Sequence, residues 1–314
     1  MKIHYAGCLY FEKRIPTLTG TIINNRLASY VLTAKPLFEM YRDKLRSADS
    51  CMIVDSGAFS VWVRGDTIAT QDYIQFCLDN HDIFDYIVNL DVIPGKPRQR
   101  LSQDMIRMAA SGGWNNFKEM INTFPKEKVI HVFHQGEDFK WLDRIANSAP
   151  YIGLSPANDK TTKQRTAWLD NCMKHVLDEK GYPKVKFHGF AATSSRLMTR
   201  YPWYSVDSAS WIRCSAYGNI YIPVLNRGVP DYTKTQAVIA LSDRTLYKKN
   251  HFRNQTIKTQ HMIRDWVSSL GFCIDDLGQN NLPRFSFNAR FFQLVEQSRP
   301  EWPWAMNGRR NTLF

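Results

Sequence analysis

Residues 204–211 read YSVDSASW. Tyr204-Ser205-Val206 has the composition of a short buried strand, and it delivers one carboxylate, Asp207, into a run of small hydroxyl residues. A carboxylate stranded at the end of an apolar strand is costly to desolvate unless it is paired or put to use. The same grammar recurs at residues 51–59 (CMIVDSGAF), around Asp55, and at residues 86–95 (YIVNLDVIPG), around Asp91. Three strands that end in Asp point to three carboxylates converging on one face, a pattern of active sites rather than of packing.

Around these stretches the chain alternates strand and helix. Residues 3–10 are expected to open as a strand, and 36–46 to follow as a helix that begins on Pro36. Strands are expected at 52–54, 86–90, 129–133, 151–154, 185–187 and 204–206. Between them, 70–80 has helical spacing (Tyr73, Phe76, Cys77), and 99–110 is a helix broken at Gly112-Gly113, with another run from 116 to 124. Further helices are expected at 138–147, at 162–180 with a stop at Gly181 and Pro183, and at 194–200 under a Ser194 or Ser195 cap. Six or so strands, each followed by a helix, imply parallel pairing through right-handed crossovers. An open doubly wound sheet also fits that alternation, but no early strand leads into a GxGxxG or GxxxxGK[ST] loop. Polar residues follow nearly every strand, as in barrels, whose strand-end loops build one site. The expectation is an α/β chain folded as a TIM-type (β/α)8 barrel, a single domain over 1–314. Its motifs lie within 50–211, and a basic part follows from about 212 to 314.

Beyond residue 211 the order is looser: a strand at 221–225 and helices at 256–270 and 289–296. The tail at 298–314, with Trp302, Trp304, Arg309 and Arg310, either docks by its tryptophans or touches a partner.

The 44% hydrophobic and 22% charged content is that of a soluble globular protein. No window approaches the roughly 18–20 unbroken apolar residues of a membrane span, and the first residues lack the apolar core of a signal peptide. The expected setting is therefore cytoplasmic, with no membrane partner. The six cysteines form no close pair, so they are expected to be buried hydrophobes and not metal ligands. Charge is unevenly spread. Residues 1–157 hold 18 Lys/Arg against 17 Asp/Glu, and residues 158–314 hold 23 against 12. Arg244, Lys248, Lys249, Arg253 and Lys258 stand in a stretch without acids, which marks a face for a polyanion such as a nucleic acid.

Asp55 and Asp207, brought to one barrel mouth, suit glycosidic chemistry, in which one carboxylate attacks an anomeric carbon and the other manages protons. For a covalent, retaining reaction the two should stand roughly 5–5.5 Å apart. Each Asp, taken alone, could equally cap the helix that follows it.

The motifs DSGAF (55–59), LDVIPG (90–95), HQGE (134–137), IGLSP (152–156), HGF (188–190) and SVDSASW (205–211) stand in the order found in the tRNA-guanine transglycosylase superfamily. The chain most resembles its compact phage-type branch, which puts 7-deazaguanine bases into DNA. The resemblance covers about residues 50–211. It implies that Asp207 is the nucleophile that attacks C1′ and expels guanine, and that Asp55 is the general acid/base. It implies that Asp91 accepts hydrogen bonds from the guanine edge, that Gln135 donates to the base carbonyl, and that the backbone near Gly153 completes that edge. Phe59 would stack on the base. Ser56, His188 and Gly189 would line the same site, His188 standing where the family often supplies a second stacking side chain. The implied partners are DNA, or alternatively tRNA, and a free 7-deazaguanine base such as 7-cyano-7-deazaguanine; no cofactor is implied.

The residues also admit plainer roles: Gln135 satisfying loop backbone, Phe59 and His188 as core, His134 and Glu137 as hydrogen-bonding neighbours. The tRNA-acting relatives carry a zinc site built from clustered cysteines and a histidine, which this sequence lacks, and that difference favours DNA. Other readings are a catalytically silent nucleic-acid-binding subunit and a metal-dependent hydrolase built on strand-end Asp and His.

Overall fold

Short apolar runs that end in polar residues become the staves of a closed barrel. A computed structural model of the chain describes residues 1–11, 23–33, 35–47, 49–157, 159–192 and 194–306. The strands are β1 (Lys2–Ala6), β2 (Asn25–Ser29), β3 (Cys51–Asp55), β4 (Tyr86–Val88), β5 (Val129–His134), β6 (Tyr151–Ser155), β7 (Lys186–Gly189) and β8 (Ser205–Ser208). Each pairs in parallel with the next, and β8 returns to β1 with Lys2 opposite Ser205 and His4 opposite Asp207. The expected (β/α)8 barrel of TIM type is the fold observed.

The period-2 alternation divides each strand between two cores. Leu27, Ile53, Val88, Ile130, Val132 and Tyr151 fill the barrel interior. Their neighbours Met52, Val54, Ile87, Val129, Phe133 and Val206 face the surrounding helices. The same alternation turns Asp55, two residues beyond Ile53, and His134, two beyond Val132, toward the inside at the strands' C-terminal ends.

The helices are α1 (Lys35–Leu45), α2 (Ala58–Arg64), α3 (Thr70–Asp79), α4 (Gln103–Thr123), α5 (Phe139–Ser148), α6 (Thr162–Val176), α7 (Ser195–Arg200), α8 (Ser210–Ala216), α9 (Ile257–Ser269), α10 (Ile274–Gln279) and α11 (Asn281–Gln297). The break expected at Gly112-Gly113 does not occur: α4 runs through it, from a Ser102 cap to Thr123. The two glycines let α4 lie close on β4 and β5, since a Cβ at Gly112 would stand 3.0 Å from Val92 and the Gly113 carbonyl accepts from Asn89 Nδ2 at 2.9 Å. Helix α6 stops at Val176, short of the expected 180. Strand β2 was not expected from the sequence; it carries Arg26, only 1 % exposed, whose guanidinium donates to the Asn24 carbonyl and Ser50 Oγ.

After α8 the chain adds two small antiparallel pairs, β9 (Asn219–Ile222) with β12 (Ala237–Ala240) and β10 (Val224–Asn226) with β11 (Val229–Asp231). It then returns through α11, which packs on α8 and β1. Tyr5 Oη donates to the Ala289 carbonyl at 2.9 Å, and Glu296 accepts from Ile3 N–H at 3.0 Å. The tail docks by Trp302, whose ring meets Tyr204 edge-on at 5.2 Å. Arg309 and Arg310 lie outside the described residues. Among the described residues no helix is long and apolar enough to cross a membrane.

Candidate active site

Strand ends β3, β4, β5 and β8 bring Asp55, Asp91, His134 and Asp207 to one mouth of the barrel. Asp55 sits on a sharp turn. Gly57, at φ 74°, donates its N–H to Asp55 Oδ2 at 3.2 Å, and a side chain there would collide with Val31 and Ser29. Burial, then the charges of Asp91 and Asp207, push the Asp55 carboxyl up to about 7; the Gly57 N–H pulls in the opposite direction. Asp207 stands three strand positions away from Asp55 around the ring.

Asp91 is presented by the loop after β4. Asn89 and Asn116 anchor that loop, Asn116 donating to the Leu90 carbonyl at 2.9 Å. His134 Nε2 faces Asp91 Oδ2 at 3.2 Å, an ion pair whose alignment falls short of a full hydrogen bond. Burial pulls the His134 imidazole down, but Asp91, Glu137 and Asp55 together hold it at about 9. Burial raises Glu137 to about 7 against the opposing pull of His134. His134 and Glu137, to which the sequence reading gave no direct role, therefore belong to the same charged cluster. The signal for them was their position flanking Gln135 immediately after a strand.

Asp207 is held from β7 and its loop. The Ala191 N–H donates to Asp207 Oδ1 at 2.9 Å, with Ala191 in the left-handed region at φ 48°. A non-glycine residue there costs about 1–2 kcal/mol, and such strain gathers at functional sites. Arg165 holds the next peptide by donating to the Ala191 carbonyl at 2.7 Å. His188 Nε2 stands 3.5 Å from Asp207 Oδ1. The His188 ring is 0 % exposed, packed between His4 and Phe190, so it offers no open face for the stacking expected of it.

The other predicted site residues divide. Gln135 Oε1 accepts from Ala157 N–H at 3.0 Å, which turns its two-proton amide nitrogen away from that bond. Phe59 is 55 % exposed beside Trp62, on the wall of a cavity of about 510 Å³ that Gln135, His134, Glu137, Ser155 and Pro156 also line. None of the three aspartates lines this cavity. A void of about 10 Å³, room for about one water, lies between Asp91, His134 and Glu137 and adjoins it. Trp62 Nε1 donates to the Gly95 carbonyl at 2.7 Å and fixes the loop that walls the cavity.

Ser56 and Gly189 turn away from the lumen, whereas Gly153 faces Val132 and Phe190. Ser56 is buried, its Oγ accepting from Ala58 N–H inside the turn. At Gly153 the space freed by the missing side chain is taken by Phe190, which a Cβ would meet at 2.6 Å. Gly189 faces outward against Ala192 and Trp203. The period-2 alternation explains Ser56 and Gly189: each neighbours an inward residue and so points away from the lumen.

The predicted cationic residues gather beyond α8. Arg244, Lys249, Arg253 and Lys258 are exposed and Lys248 is half-buried. Arg253 pairs with Asp243 at 3.1 Å, while Tyr247, 82 % exposed, and Ile257 stand among the cations. Asn254 and Gln255 brace this loop by donating to the carbonyls of Leu246, Lys248 and Lys249. Among the described residues no group of three or more His, Cys, Asp or Glu is arranged to hold a metal ion. No protein-family model and no curated protein matches the chain.

Proposed function

We propose that this chain is a DNA-guanine transglycosylase, which exchanges guanine in DNA for a free 7-deazaguanine base such as 7-cyano-7-deazaguanine. The observation that carries the reading is the placement of Asp55, Asp91 and Asp207 at the C-terminal ends of strands of one closed barrel, where burial and the two neighbouring charges push the Asp55 carboxyl up to about 7. A group that titrates near neutrality can both give and take a proton at working pH, which base exchange requires of it. The ordered motifs shared with the tRNA-guanine transglycosylase superfamily supply the substrate class.

In the first displacement an Asp207 oxygen bonds to C1′ of the target nucleotide. The glycosidic bond electrons leave with guanine, which takes the Asp55 proton. In the second, Asp55 removes a proton from the incoming base, whose nitrogen bonds to C1′ and releases Asp207. Two inversions return the original configuration, and splitting the exchange into two substitutions lowers each barrier. Asp91, an acceptor-only group, suits the adjacent N–H donors of a guanine edge. The Gln135 amide nitrogen suits the base carbonyl, and the exposed Phe59 ring suits its face. Extruding the target base costs a few kcal/mol, and the cations from Arg244 to Lys258 would hold the flanking phosphates meanwhile.

Incubation with labelled guanine and either DNA or tRNA tests the reading. Label is expected in DNA, without ATP. Label in tRNA alone transfers the same chemistry to RNA and overturns the DNA reading, and label in neither overturns the exchange itself.

A further inference from the structure

The lumen of the barrel holds a polar chain beneath Asp207 that the exchange reaction above does not use. Tyr151 Oη lies 2.5 Å from Ser205 Oγ, and Ser205 Oγ lies 2.5 Å from His188 Nδ1. The other ring nitrogen, His188 Nε2, faces Asp207 Oδ1 at 3.5 Å. Tyr151, Ser205 and His188 are each at most 1 % exposed, so the protons on these atoms must be satisfied by one another.

Counting protons fixes the direction of the chain. If His188 carried its hydrogen on Nδ1, it would donate to Ser205, whose oxygen can accept from Tyr151 as well. Either the Ser205 hydrogen would then have no partner in the chain, or it would go to Tyr151 and leave the Tyr151 hydrogen without one, and a bare Nε2 lone pair would face a carboxylate. With the hydrogen on Nε2, Tyr151 donates to Ser205, Ser205 donates to Nδ1, and Nε2–H points at Asp207. Both hydroxyl hydrogens then have an acceptor, and the Nε2–H, which makes no full hydrogen bond at 3.5 Å, is drawn to the carboxylate by charge. Burial keeps the Tyr151 phenol protonated well above its usual range, which makes it a secure donor at the head of the chain.

Resting on the transglycosylase reading for its consequence but not for its geometry, we infer that Tyr151 and Ser205 form a directed hydrogen-bond relay that fixes the Nε2–H tautomer of His188 and so orients Asp207 for attack on the sugar carbon. Ser205 and His188 are positioning residues; they touch the nucleophile or its neighbour and not the substrate. At 3.5 Å the last contact is longer than a good hydrogen bond, and contacts of this kind tighten when the reacting partner is seated. The Ala191 N–H grips the same Oδ1 from the β7 loop, so the carboxylate is held from two directions with its second oxygen left to react. The strained Ala191 backbone and the buried His188 serve one purpose in this arrangement.

The test has two arms on the full chain. In the first, the protein is labelled with ¹⁵N-histidine, and the ring nitrogens of His188 are assigned by their loss in His188→Gln and read by two-bond ¹⁵N–¹H correlation. Wild type is expected to show the Nε2–H tautomer, and Ser205→Ala a mixture of tautomers. A doubly protonated His188, or the Nδ1–H form in wild type, overturns the relay whatever the reaction proves to be. In the second arm, single-turnover base exchange in Ser205→Ala is expected to slow about 10-fold, the low end of what losing the outer hydrogen-bond partner of a metal-ligating histidine costs, with steady-state KM for DNA and for free base within about twofold. Tyr151→Phe, which leaves the Ser205 hydroxyl in place, is expected to slow it less. His188→Gln, whose amide can still donate to Asp207, is expected to retain more activity than His188→Ala. Equal rates in wild type and Ser205→Ala, with exchange intact, overturn the positioning role alone. Absence of exchange in wild type would fail the functional reading and leave the tautomer result standing.

Discussion

Replacing Asp55 by Asn is expected to end base exchange and to stabilise the fold, by an amount that depends on pH. The carboxyl stands at about 7 against an ordinary 3.8, so the folded chain holds a proton over a window in which the unfolded chain has released it. Between about pH 4 and pH 7 folding therefore takes up a proton, and raising the pH through that window removes stability. Below the window the wild type carries no penalty, and above it the whole penalty is present. A shift of about three units corresponds to about 4 kcal/mol at about 1.36 kcal/mol per unit. Asp55 is partly open to water, which screens the repulsion from Asp91 and Asp207, so about 1–3 kcal/mol is the expected part. Asparagine keeps the shape of the neutral acid and cannot ionise. Urea unfolding of wild type and Asp55→Asn at pH 4.5 and pH 8 reads the difference directly. The advantage of the variant should be larger at pH 8 by about 1–3 kcal/mol. An equal advantage at both pH values, or a variant less stable than wild type at pH 8, would refute the argument that like charges and burial meet at this residue.

Three further outcomes follow from the same structure. Gly57→Ala is expected to cost about 2–3 kcal/mol and to suppress exchange, because the left-handed turn and the crowding by Val31 and Ser29 leave no room for a Cβ; a variant with wild-type denaturant midpoint and activity would contradict it. His134 is held above its ordinary 6.5 at about 9, so its stabilisation is complete below about pH 6.5 and is lost as pH rises through about 9. His134→Gln should accordingly be about 1–2 kcal/mol less stable than wild type at pH 6 and should converge on it near pH 10; a gap that persists at high pH would show the loss to be packing and not charge. Changing Arg244, Lys248 and Lys249 together to Gln should lower the slope of log affinity for duplex DNA against log salt by about 2–3, at about 0.9 for each phosphate no longer neutralised. Fluorescence anisotropy across a salt series measures that slope, and an unchanged value would place the DNA elsewhere.

The barrel was legible because its grammar is local. Apolar runs such as Met52–Val54 and Phe187 with its neighbours end in polar residues, and helix-period segments follow them. Strand β2 escaped because Arg26, fully buried through bonds to Asn24 and Ser50, gives the run NRLAS a surface-like composition. The Gly112-Gly113 pair read as a helix break because glycine is a poor helix former. What it supplies is close approach to Val92, a tertiary fact that no window of sequence contains.

The site shows the same division. Asp55, Asp91 and Asp207 could be picked out because each stands at the end of a strand, where the fold collects side chains. Which neighbours point inward depends on strand phase, so Ser56 and Gly189 went to the outer face while His134 entered the cluster, and the turn after it brought Glu137 alongside. His188 could be read as a stacking surface or as core, and its enclosure follows from Phe190 folding back across Gly153. That contact lies across two strands and leaves no trace in either one alone.

The central claim is that Asp207 bonds to a sugar carbon while Asp55 moves the proton. Denaturing a reaction with guanine-containing DNA in mid-turnover and sequencing the crosslinked peptide by mass spectrometry tests it most directly. A nucleotide-bearing peptide modified at Asp207 is expected, absent in Asp207→Asn. An adduct on another residue, or undiminished exchange by Asp207→Asn, would contradict it.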